Sequence, residues 1–360
     1  MLYREAGQFK SSYATDQAIF PLLQDRIGFF AILVIAFIAV PLLADDFILE
    51  AIAIPFLILT LATIGLNVLT GYAGQLSLGT GGFMGVGAYA CYKLTTAFPD
   101  VNIILLILLS GIFSAAVGLV FGLPSLRIKG LYLVVTTLAA QFFLEWCFIR
   151  IGWLYNYNVS GAIDSPERSL AGGLILTGPN ADAVTRYLVV LAIVAVMTLL
   201  VKNLIRGRIG RSWMMIRDMD IAAELMGVRP LVAKLSAFAV SSYICGVAGA
   251  MFVFFYLGSV EPSAFSITLS FQILFMVIIG GLGSLIGCYF GAAFIWILPI
   301  FLRNVLPAIG IDIGAENIVH LTSMIVGVLI ILFLILEPHG LARLWQLGKE
   351  KLRVWPFPYA

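Results

Sequence analysis

The chain has 360 residues, of which 61% are apolar and only 11% are charged, and its formal net charge is +2. Because average soluble chains carry about 25% charged residues, this chain lacks the polar side chains that would cover a soluble fold. The composition excludes a cytosolic enzyme, a secreted disulfide scaffold and a disordered chain, and the low net charge argues against a nucleic-acid partner. A lipid bilayer is the solvent that fits such a chain.

Apolar runs long enough to cross a bilayer recur along the whole sequence. A hydrocarbon core of about 30 Å requires roughly 20 helical residues. We therefore predict an all-α fold, a polytopic membrane helix bundle with about ten transmembrane segments. In chain order the predicted segments are Ile27–Ala44, Phe47–Leu69, Tyr72–Leu94, Val101–Leu123, Leu131–Ile149, Val184–Ile205, Leu235–Leu257, Ile267–Leu282, Leu285–Leu302 and Ile318–Leu336.

These segments divide the chain into a short N-terminal part (1–26), a membrane domain (27–336) and a C-terminal tail (337–360). Most of the 21 basic residues fall on one side of the membrane if the number of crossings is even. Because Lys and Arg collect in cytoplasmic loops, we expect both termini and the long 206–234 loop in the cytoplasm, and the 150–183 loop outside.

The third predicted span is rich in glycine. Between Gly71 and Tyr89 it carries Gln75, Ser77 and Thr80 as its polar side chains. Each glycine inside a helix costs about 0.5 to 1 kcal/mol relative to alanine, so tight packing or an unwound backbone must compensate. The segment is either a broken helix along a solute path or a closely packed helix without substrate contact. For such a path we nominate six polar side chains by their polarity and placement: Gln75, Ser77, Thr80, Thr136, Thr137 and Gln141.

The 206–234 loop contains a second patterned stretch, Arg217 to Pro230. Its spacing predicts a short helix with Asp218 and Asp220 in the first turn, Gly227 as the C-terminal cap and Pro230 as the stop. The apolar positions share one helical face: Ile216, Met219, Ala223 and Met226. Periodicity leaves two alternatives open with equal weight, a helix that docks on a partner protein and one that lies on lipid headgroups.

A third stretch, Gly280 to Phe294, repeats glycine at four-residue spacing at Gly283, Gly287 and Gly291. Such a repeat predicts close helix packing on one helix face. This stretch is not a phosphate loop, because a P-loop requires Lys and then Ser or Thr after its second glycine. Elsewhere in the chain Lys349 follows a glycine, but it is followed by Glu350. We expect neither a nucleotide site nor a metal site in this chain, so it is not an enzyme by itself.

Polar residues inside the predicted spans are few, and the notable one is Glu145, an acidic residue near the outer end of its span. A secondary transporter working alone is permitted by the span count, but it would be expected to carry more such groups. An intramembrane enzyme would need paired acids or a histidine cluster at membrane depth, and the sequence offers only His320 and His339.

Four motifs together resemble the M-type permeases of branched-chain amino-acid ABC importers, within the LivH/LivM permease family. The resemblance extends over roughly residues 60 to 345. It rests on Asn67-x-x-x-Gly71-Tyr-Ala-Gly-Gln-Leu-Ser-Leu-Gly79, on Ser212–Gly227 after Arg208-Ile-Gly-Arg211, on Ile279–Leu285 (IGGLGSL) and on Glu337-Pro-His-Gly-Leu-Ala342.

The resemblance implies a permease subunit in a bacterial inner membrane that carries no cofactor of its own. It further implies four protein partners: a second permease of the family, two cytoplasmic ATPases that bind the ATP, and an extracytoplasmic solute-binding protein. Membrane lipid surrounds the permease itself. By analogy with the coupling loops of ABC importers, Asp220, Ala223, Glu224 and Gly227 would mark a coupling helix that docks on an ATPase. The implied solutes are leucine, isoleucine and valine, although family members also import urea, short amides and aromatic acids.

Overall fold

A computed structural model describes residues 12, 23–125, 132–158, 161–169, 175–178, 181–308, 315–336 and 340–354. It is a helical bundle, which confirms the predicted fold class. Its α-helices are α1 (Leu23–Val34), α2 (Val40–Leu43), α3 (Ile54–Asn67), α4 (Thr80–Ala97), α5 (Ile103–Ser125), α6 (Tyr132–Arg150), α7 (Ala183–Arg206), α8 (Arg208–Asp218), α9 (Asp220–Leu225), α10 (Pro230–Phe252), α11 (Ile267–Gly280), α12 (Leu285–Ala308), α13 (Ala315–Leu336) and α14 (Gly340–Val354).

Eight helical segments among the described residues are long and apolar enough to cross a membrane. They coincide with eight of the ten predicted spans: Arg26–Leu43, Ile48–Tyr72, Ile103–Leu123, Leu133–Arg150, Ala183–Arg206, Pro230–Leu257, Pro262–Gly280 and Leu285–Arg303. The tenth predicted span coincides with α13. The predicted N-terminal part and tail extend beyond the described residues, as does Glu337–His339 of the closing motif.

The third predicted span is interrupted. The chain leaves helix geometry after Tyr72, runs through an irregular stretch at 73–79, and re-enters a helix only at Thr80. The glycine-rich sequence therefore does contain a break. The helix after the break, α4, falls outside the eight segments above and is largely buried by the other helices.

Two of the long apolar segments contain a π-helical turn directly before a proline. Ile35–Ala39 precedes Pro41, and Ile48–Ala53 precedes Pro55 in the first turn of α3. Proline has no backbone N–H and clashes with the preceding turn, so the ladder of hydrogen bonds widens locally. A third π turn, Val68–Tyr72, extends α3 to the interruption.

The centre of the bundle is α10, which packs against α3, α4 and α5. The helices approach closely because small residues lie where they cross. A Cβ on Gly87 would overlap the backbone of Gly246, and a Cβ on Gly249 would overlap the backbone of Met84. This is the packing mode of membrane helices, in which small residues allow backbones to come together and gain van der Waals contact.

The 150–183 loop contains most of the short strands of the structure. Ile163–Asp164 pairs antiparallel with Ser259–Val260, and Arg168–Ser169 pairs antiparallel with Ile175–Thr177. The Arg168 guanidinium donates hydrogen bonds to the carbonyls of Thr95 and Pro99. These contacts fasten the loop to the ends of α4 and α10 on one side of the bundle.

Candidate functional site

The 206–234 loop forms two helices rather than the single predicted one. The α8 helix ends at Asp218, Met219 is extended with φ −159° and ψ 98°, and α9 then runs only from Asp220 to Leu225. Asp220 does occupy the first turn of α9, as predicted, whereas Asp218 closes the preceding helix. The prediction of one continuous helix from Arg217 to Pro230 is wrong because nothing in its periodicity signalled the extended residue.

The α9 helix is fastened to the bundle at its start and capped by a local hydrogen bond at its end. Lys234 Nζ, on α10, lies 2.7 Å from Asp220 Oδ2, and the N–H of Val228 donates to the Ala223 carbonyl over 3.0 Å. Gly227 has φ +86°, a left-handed conformation that favours glycine, and thereby ends the helix as predicted. Ala223 is buried against the protein. The helix is therefore a small platform held in a fixed orientation.

The outward side of this platform is apolar and exposed. Glu224 is also exposed on it. Four apolar side chains point away from the protein: Met219 at 68% exposed, Ile221 at 73%, Leu225 at 85% and Met226 at 67%. We call these four side chains the apolar platform.

The predicted apolar face is thus divided. Ile216 and Ala223 are buried, while Met219 and Met226 lie on the apolar platform. The extended backbone at Met219 interrupts the helix between Ile216 and Ala223, so the four residues do not share one helical face. The exposed apolar surface of this element is therefore the apolar platform and not the predicted face of Ile216, Met219, Ala223 and Met226. Ile221 and Leu225 are exposed, whereas Ile216 and Ala223 are buried.

The structure brings five of the six nominated path residues together around the irregular stretch. Gln75 and Ser77 lie within it, and Thr80 opens α4; all three are buried. Thr137, on α6, accepts a hydrogen bond from the N–H of Leu78 over 3.0 Å. The irregular backbone is thus held by a side chain from the neighbouring helix α6.

Gln141 joins three parts of the bundle. Its Oε1 accepts hydrogen bonds from the N–H of Gly82 over 2.5 Å and from Ser270 Oγ over 3.1 Å, and its Nε2 donates to the Phe265 carbonyl over 2.8 Å. The side chain is fully buried, and both of its amide atoms are bonded. Through these contacts Gln141 joins its own helix, α6, to α4 and α11.

Thr136, the sixth nominated residue, lies apart from this cluster. It is only partly buried, and its hydroxyl donates to the Leu133 carbonyl of its own helix over 2.9 Å. Such a bond to the preceding turn satisfies the hydroxyl locally. The neighbouring Thr137 is therefore the member of this pair that reaches the irregular stretch.

Two polar side chains at the interruption are buried and unbonded. Among the described residues, neither amide atom of Gln75 nor the hydroxyl of Thr80 has a hydrogen-bond partner. An unsatisfied buried polar group costs about 1 to 3 kcal/mol, and such groups require an explanation. Among the described residues, the irregular stretch and the start of α4 therefore leave hydrogen-bonding capacity open at these two positions.

The glycine repeat is placed in two different settings. Gly287 and Gly291 lie on α12, where a Cβ on either would overlap the backbone of α11. Gly283, in contrast, precedes α12 and has φ +76° in the bend between the two helices. The three glycines therefore do not share one helix face: Gly283 forms the reversal of the chain, and the other two form the close contact.

Asn67 and Ser270 are two site residues that sequence reasoning did not nominate. Asn67 Oδ1 accepts from the N–H of Gly283 over 2.9 Å, and its Nδ2 donates to the Ser284 carbonyl over 3.1 Å. Ser270 Oγ accepts from the N–H of Gly81 over 2.8 Å. A polar residue inside a predicted span was the available signal for Asn67, whereas a serine in an apolar helix gives no comparable signal.

The bundle of long apolar helices defines a polytopic membrane protein. In the described part of the chain, no group of three or more His, Cys, Asp and Glu side chains could hold a metal ion. The chain belongs to the family described as branched-chain amino acid transport system, permease component, whose profile matches residues 48–334. It is accordingly a transmembrane permease subunit of the ABC transporter class and not an ATPase.

Three relatives share 28 or 29% sequence identity with the chain. The high-affinity branched-chain amino acid transport system permease protein LivM of Salmonella typhimurium is 28% identical over 341 residues, which cover 89% of this chain and 75% of the relative. The protein of the same description from Escherichia coli is 29% identical over 301 residues, covering 77% and 66%. A probable branched-chain amino acid transport permease protein LivM of Methanocaldococcus jannaschii is 28% identical over 263 residues, covering 70% and 72%. No solved structure gives a significant match.

Proposed function

We propose that the chain forms, with a second permease of its family, the translocation path of an ATP-driven importer in a bacterial inner membrane. The family match over residues 48–334 carries this proposal. In the proposed assembly two ATPases bind on the cytoplasmic side and a solute-binding protein delivers the solute from outside. Both termini and the 206–234 loop lie in the cytoplasm in this arrangement, since that loop and both terminal parts are rich in basic residues.

We further propose that α9 is the coupling helix, with Asp220, Ala223, Glu224 and Gly227 as its marking residues. The apolar platform supports this role. Exposed apolar side chains clustered on one short element are typical of a protein interaction site. Asp220 and Ala223 fasten the platform to the bundle, whereas Glu224 lies beside the contact surface.

The lipid-surface alternative for this helix is less well supported by the same geometry. A helix that lies on headgroups needs a continuous apolar face and several turns to bury. The α9 helix has only six residues, and its inward side is already occupied by the protein. The exposed side is therefore better matched to a groove on a folded partner.

For the solute we propose leucine, isoleucine or valine. The descriptions of the three relatives support this class. The permease would provide a low-affinity path past Gln75, Ser77, Thr80, Thr136, Thr137 and Gln141, while the solute-binding protein would select the solute. Of these six, Gln75 and Thr80 have the hydrogen-bonding capacity that a passing ammonium or carboxylate group can use.

Two substitutions test the coupling helix. Glu224→Arg reverses a charge beside the contact surface, and Gly227→Trp forces a side chain into a left-handed conformation. We expect ATP hydrolysis to become uncoupled from uptake while the subunits still assemble. Unchanged uptake in both variants would contradict the proposed role of α9.

Purification from native membranes tests the assembly. The tagged chain would be isolated in mild detergent, and the proteins present in stoichiometric amount would be identified by mass spectrometry. We expect a second permease and two ATPases. A chain that purifies alone and supports uptake driven by an ion gradient in proteoliposomes would instead establish a secondary transporter.

Uptake measurements then test the solute. Cells that carry the chain and matched cells that lack it would be given labelled leucine, urea and an aromatic amino acid in turn. We expect the loss of the chain to abolish high-affinity leucine uptake and to leave the other two unchanged. A selective loss of urea or aromatic-acid uptake would retain the importer and replace the proposed solute.

A further inference from the structure

Arg217 connects the 206–234 loop with the interrupted segment of the bundle. It lies in the last turn of α8, two residues before the extended Met219. Its Nη1 donates a hydrogen bond to the Gly71 carbonyl over 2.9 Å. Gly71 belongs to the π turn Val68–Tyr72, which leads directly into the irregular stretch 73–79. The contact therefore joins two elements that are 146 positions apart in sequence.

Two further contacts fix the Arg217 side chain. Its Nε and Nη2 lie 2.9 and 2.8 Å from Asp218 Oδ1. Gly74, with φ +68°, packs against the aliphatic stem, so that a Cβ there would lie 2.8 Å from Arg217 Cγ. The Arg217 side chain thus contacts the start of the irregular stretch, and Asp218, at the junction with α9, holds its guanidinium group in place.

The same turn is also held by the bend at Gly283, between α11 and α12. Asn67 Oδ1 accepts from the N–H of Gly283, and the backbone N–H of Gln75 donates to the Leu69 carbonyl over 3.0 Å. A Cβ on Gly283 would lie 3.5 Å from the Gly71 carbonyl oxygen and 3.6 Å from Arg217 Nη1, so the bend and Arg217 meet at this carbonyl. The unbonded Gln75 side chain follows this turn by three residues. A displacement of Arg217 reaches this turn through one charge-assisted hydrogen bond.

We propose that Arg217 is a positioning residue that transmits the movement of α9 to the irregular stretch 73–79 and thereby controls the loop-side end of the solute path. This inference rests on the proposed function, because it takes α9 as the element that an ATPase moves. Because only the extended Met219 separates Asp218 from α9, a shift of α9 displaces Asp218 and Arg217, which releases the Gly71 carbonyl and frees the irregular stretch that carries Gln75. Allosteric coupling requires such a physical link between two elements, each with alternative positions.

The test uses three variants of Arg217 and its surroundings in the purified complex. Arg217→Gln removes the charged donor, Arg217→Lys retains one donor, and Gly74→Ala displaces the stem from the opposite side. Arg211→Gln is the matched control, since Arg211 is an exposed arginine on the same helix. The readouts are solute uptake per ATP hydrolysed and the rate at which a hydrophilic thiol reagent modifies Gln75→Cys, measured by mass spectrometry without ATP.

We expect Arg217→Gln and Gly74→Ala to lower uptake per ATP at least about fivefold, the low end of typical coupling factors, and to raise labelling at position 75 by a similar factor. Arg217→Lys should restore part of both, and Arg211→Gln should match the wild type. A complex in which Arg217→Gln leaves both readouts unchanged would overturn the inference and leave the proposed function intact. Failure of ATPases to accompany the wild-type chain would instead overturn the proposed function, and labelling of the chain alone would still test whether Arg217 closes the segment.

Discussion

Two short regions of this molecule depart from the usual distribution of side chains. One exposes apolar side chains to solvent, and the other buries polar ones. The α9 platform presents apolar side chains to solvent, although it lies in the most polar loop of the chain. The irregular stretch 73–79 and the start of α4 bury Gln75 and Thr80 without partners among the described residues, although they lie in an apolar bundle. Each region carries a local free-energy cost that contacts among the described residues do not offset.

The comparison separates bonded polar groups from unbonded ones. Gln141 is as deeply buried as Gln75, yet its amide is bonded to three backbone or side-chain groups. The same residue type is therefore satisfied at one position and has no partner among the described residues at the other. We propose that the exposed apolar residues divide in the same way, with lipid covering those on the long helices and a protein covering the apolar platform.

The largest effect is expected from Gln141→Leu. The substitution leaves the Gly82 N–H and the Phe265 carbonyl without this partner inside the bundle, at about 1 to 3 kcal/mol for each group. We expect the free energy of unfolding to fall by about 2 kcal/mol or more, measured by thermal unfolding in detergent. Thr136→Val is the control, because the Thr136 hydroxyl bonds only within its own helix; equal losses in the two variants would contradict the structural role of Gln141.

An intermediate effect is expected when the apolar platform becomes charged. The double variant Ile221→Glu, Leu225→Glu places carboxylates where we propose that an ATPase groove binds. We expect ATPase affinity to fall at least about tenfold, as removal of an interface hot spot does, when ATPase is titrated onto the solubilised permease. Ile209→Glu, at an exposed apolar position on α8, serves as the control, and an affinity unchanged by the double variant would remove the platform from the interface.

The smallest effect on stability is expected at Gln75. Because its amide has no partner among the described residues, Gln75→Leu removes a desolvation cost and leaves no group orphaned. We expect the free energy of unfolding to be unchanged or slightly higher, while the maximal rate of solute uptake decreases. Loss of stability as large as in Gln141→Leu, with normal uptake, would show that Gln75 is a structural residue after all.

Much of the fold was predictable because the bilayer imposes one simple requirement, a long apolar helix, on each span. Eight predicted spans coincide with long apolar helices. The glycine-rich sequence after Gly71 left a broken helix and a closely packed helix open, and it contains an irregular stretch followed by the buried helix α4. The exact start of α4 at Thr80 was not predictable, since it depends on backbone N–H groups that donate hydrogen bonds to Thr137, Gln141 and Ser270 on other helices.

The candidate site was less accessible from sequence. Periodicity identified a patterned element in the 206–234 loop, but the prediction assumed an unbroken helix. Because Met219 is extended, two residues of the expected apolar face are buried and two are exposed. Polarity nominated Gln75 and Gln141 alike, because hydrogen-bond satisfaction is a property of the tertiary structure. The sequence could not distinguish Arg217 from its neighbours either, since Arg217 bonds to the backbone carbonyl of Gly71, which is far away in sequence.

Photo-crosslinking from position 225 in native membranes tests the central claim most directly. A photoreactive amino acid replaces Leu225, the most exposed side chain of the apolar platform, and the same replacement at Ile209 serves as the reference. We expect a crosslink from position 225 to an ATPase subunit, and its loss when the ATPases are stripped from the membrane. Crosslinks from position 225 to lipid alone, or identical products from both positions, would contradict the account of this chain as a permease that docks on its ATPase through α9.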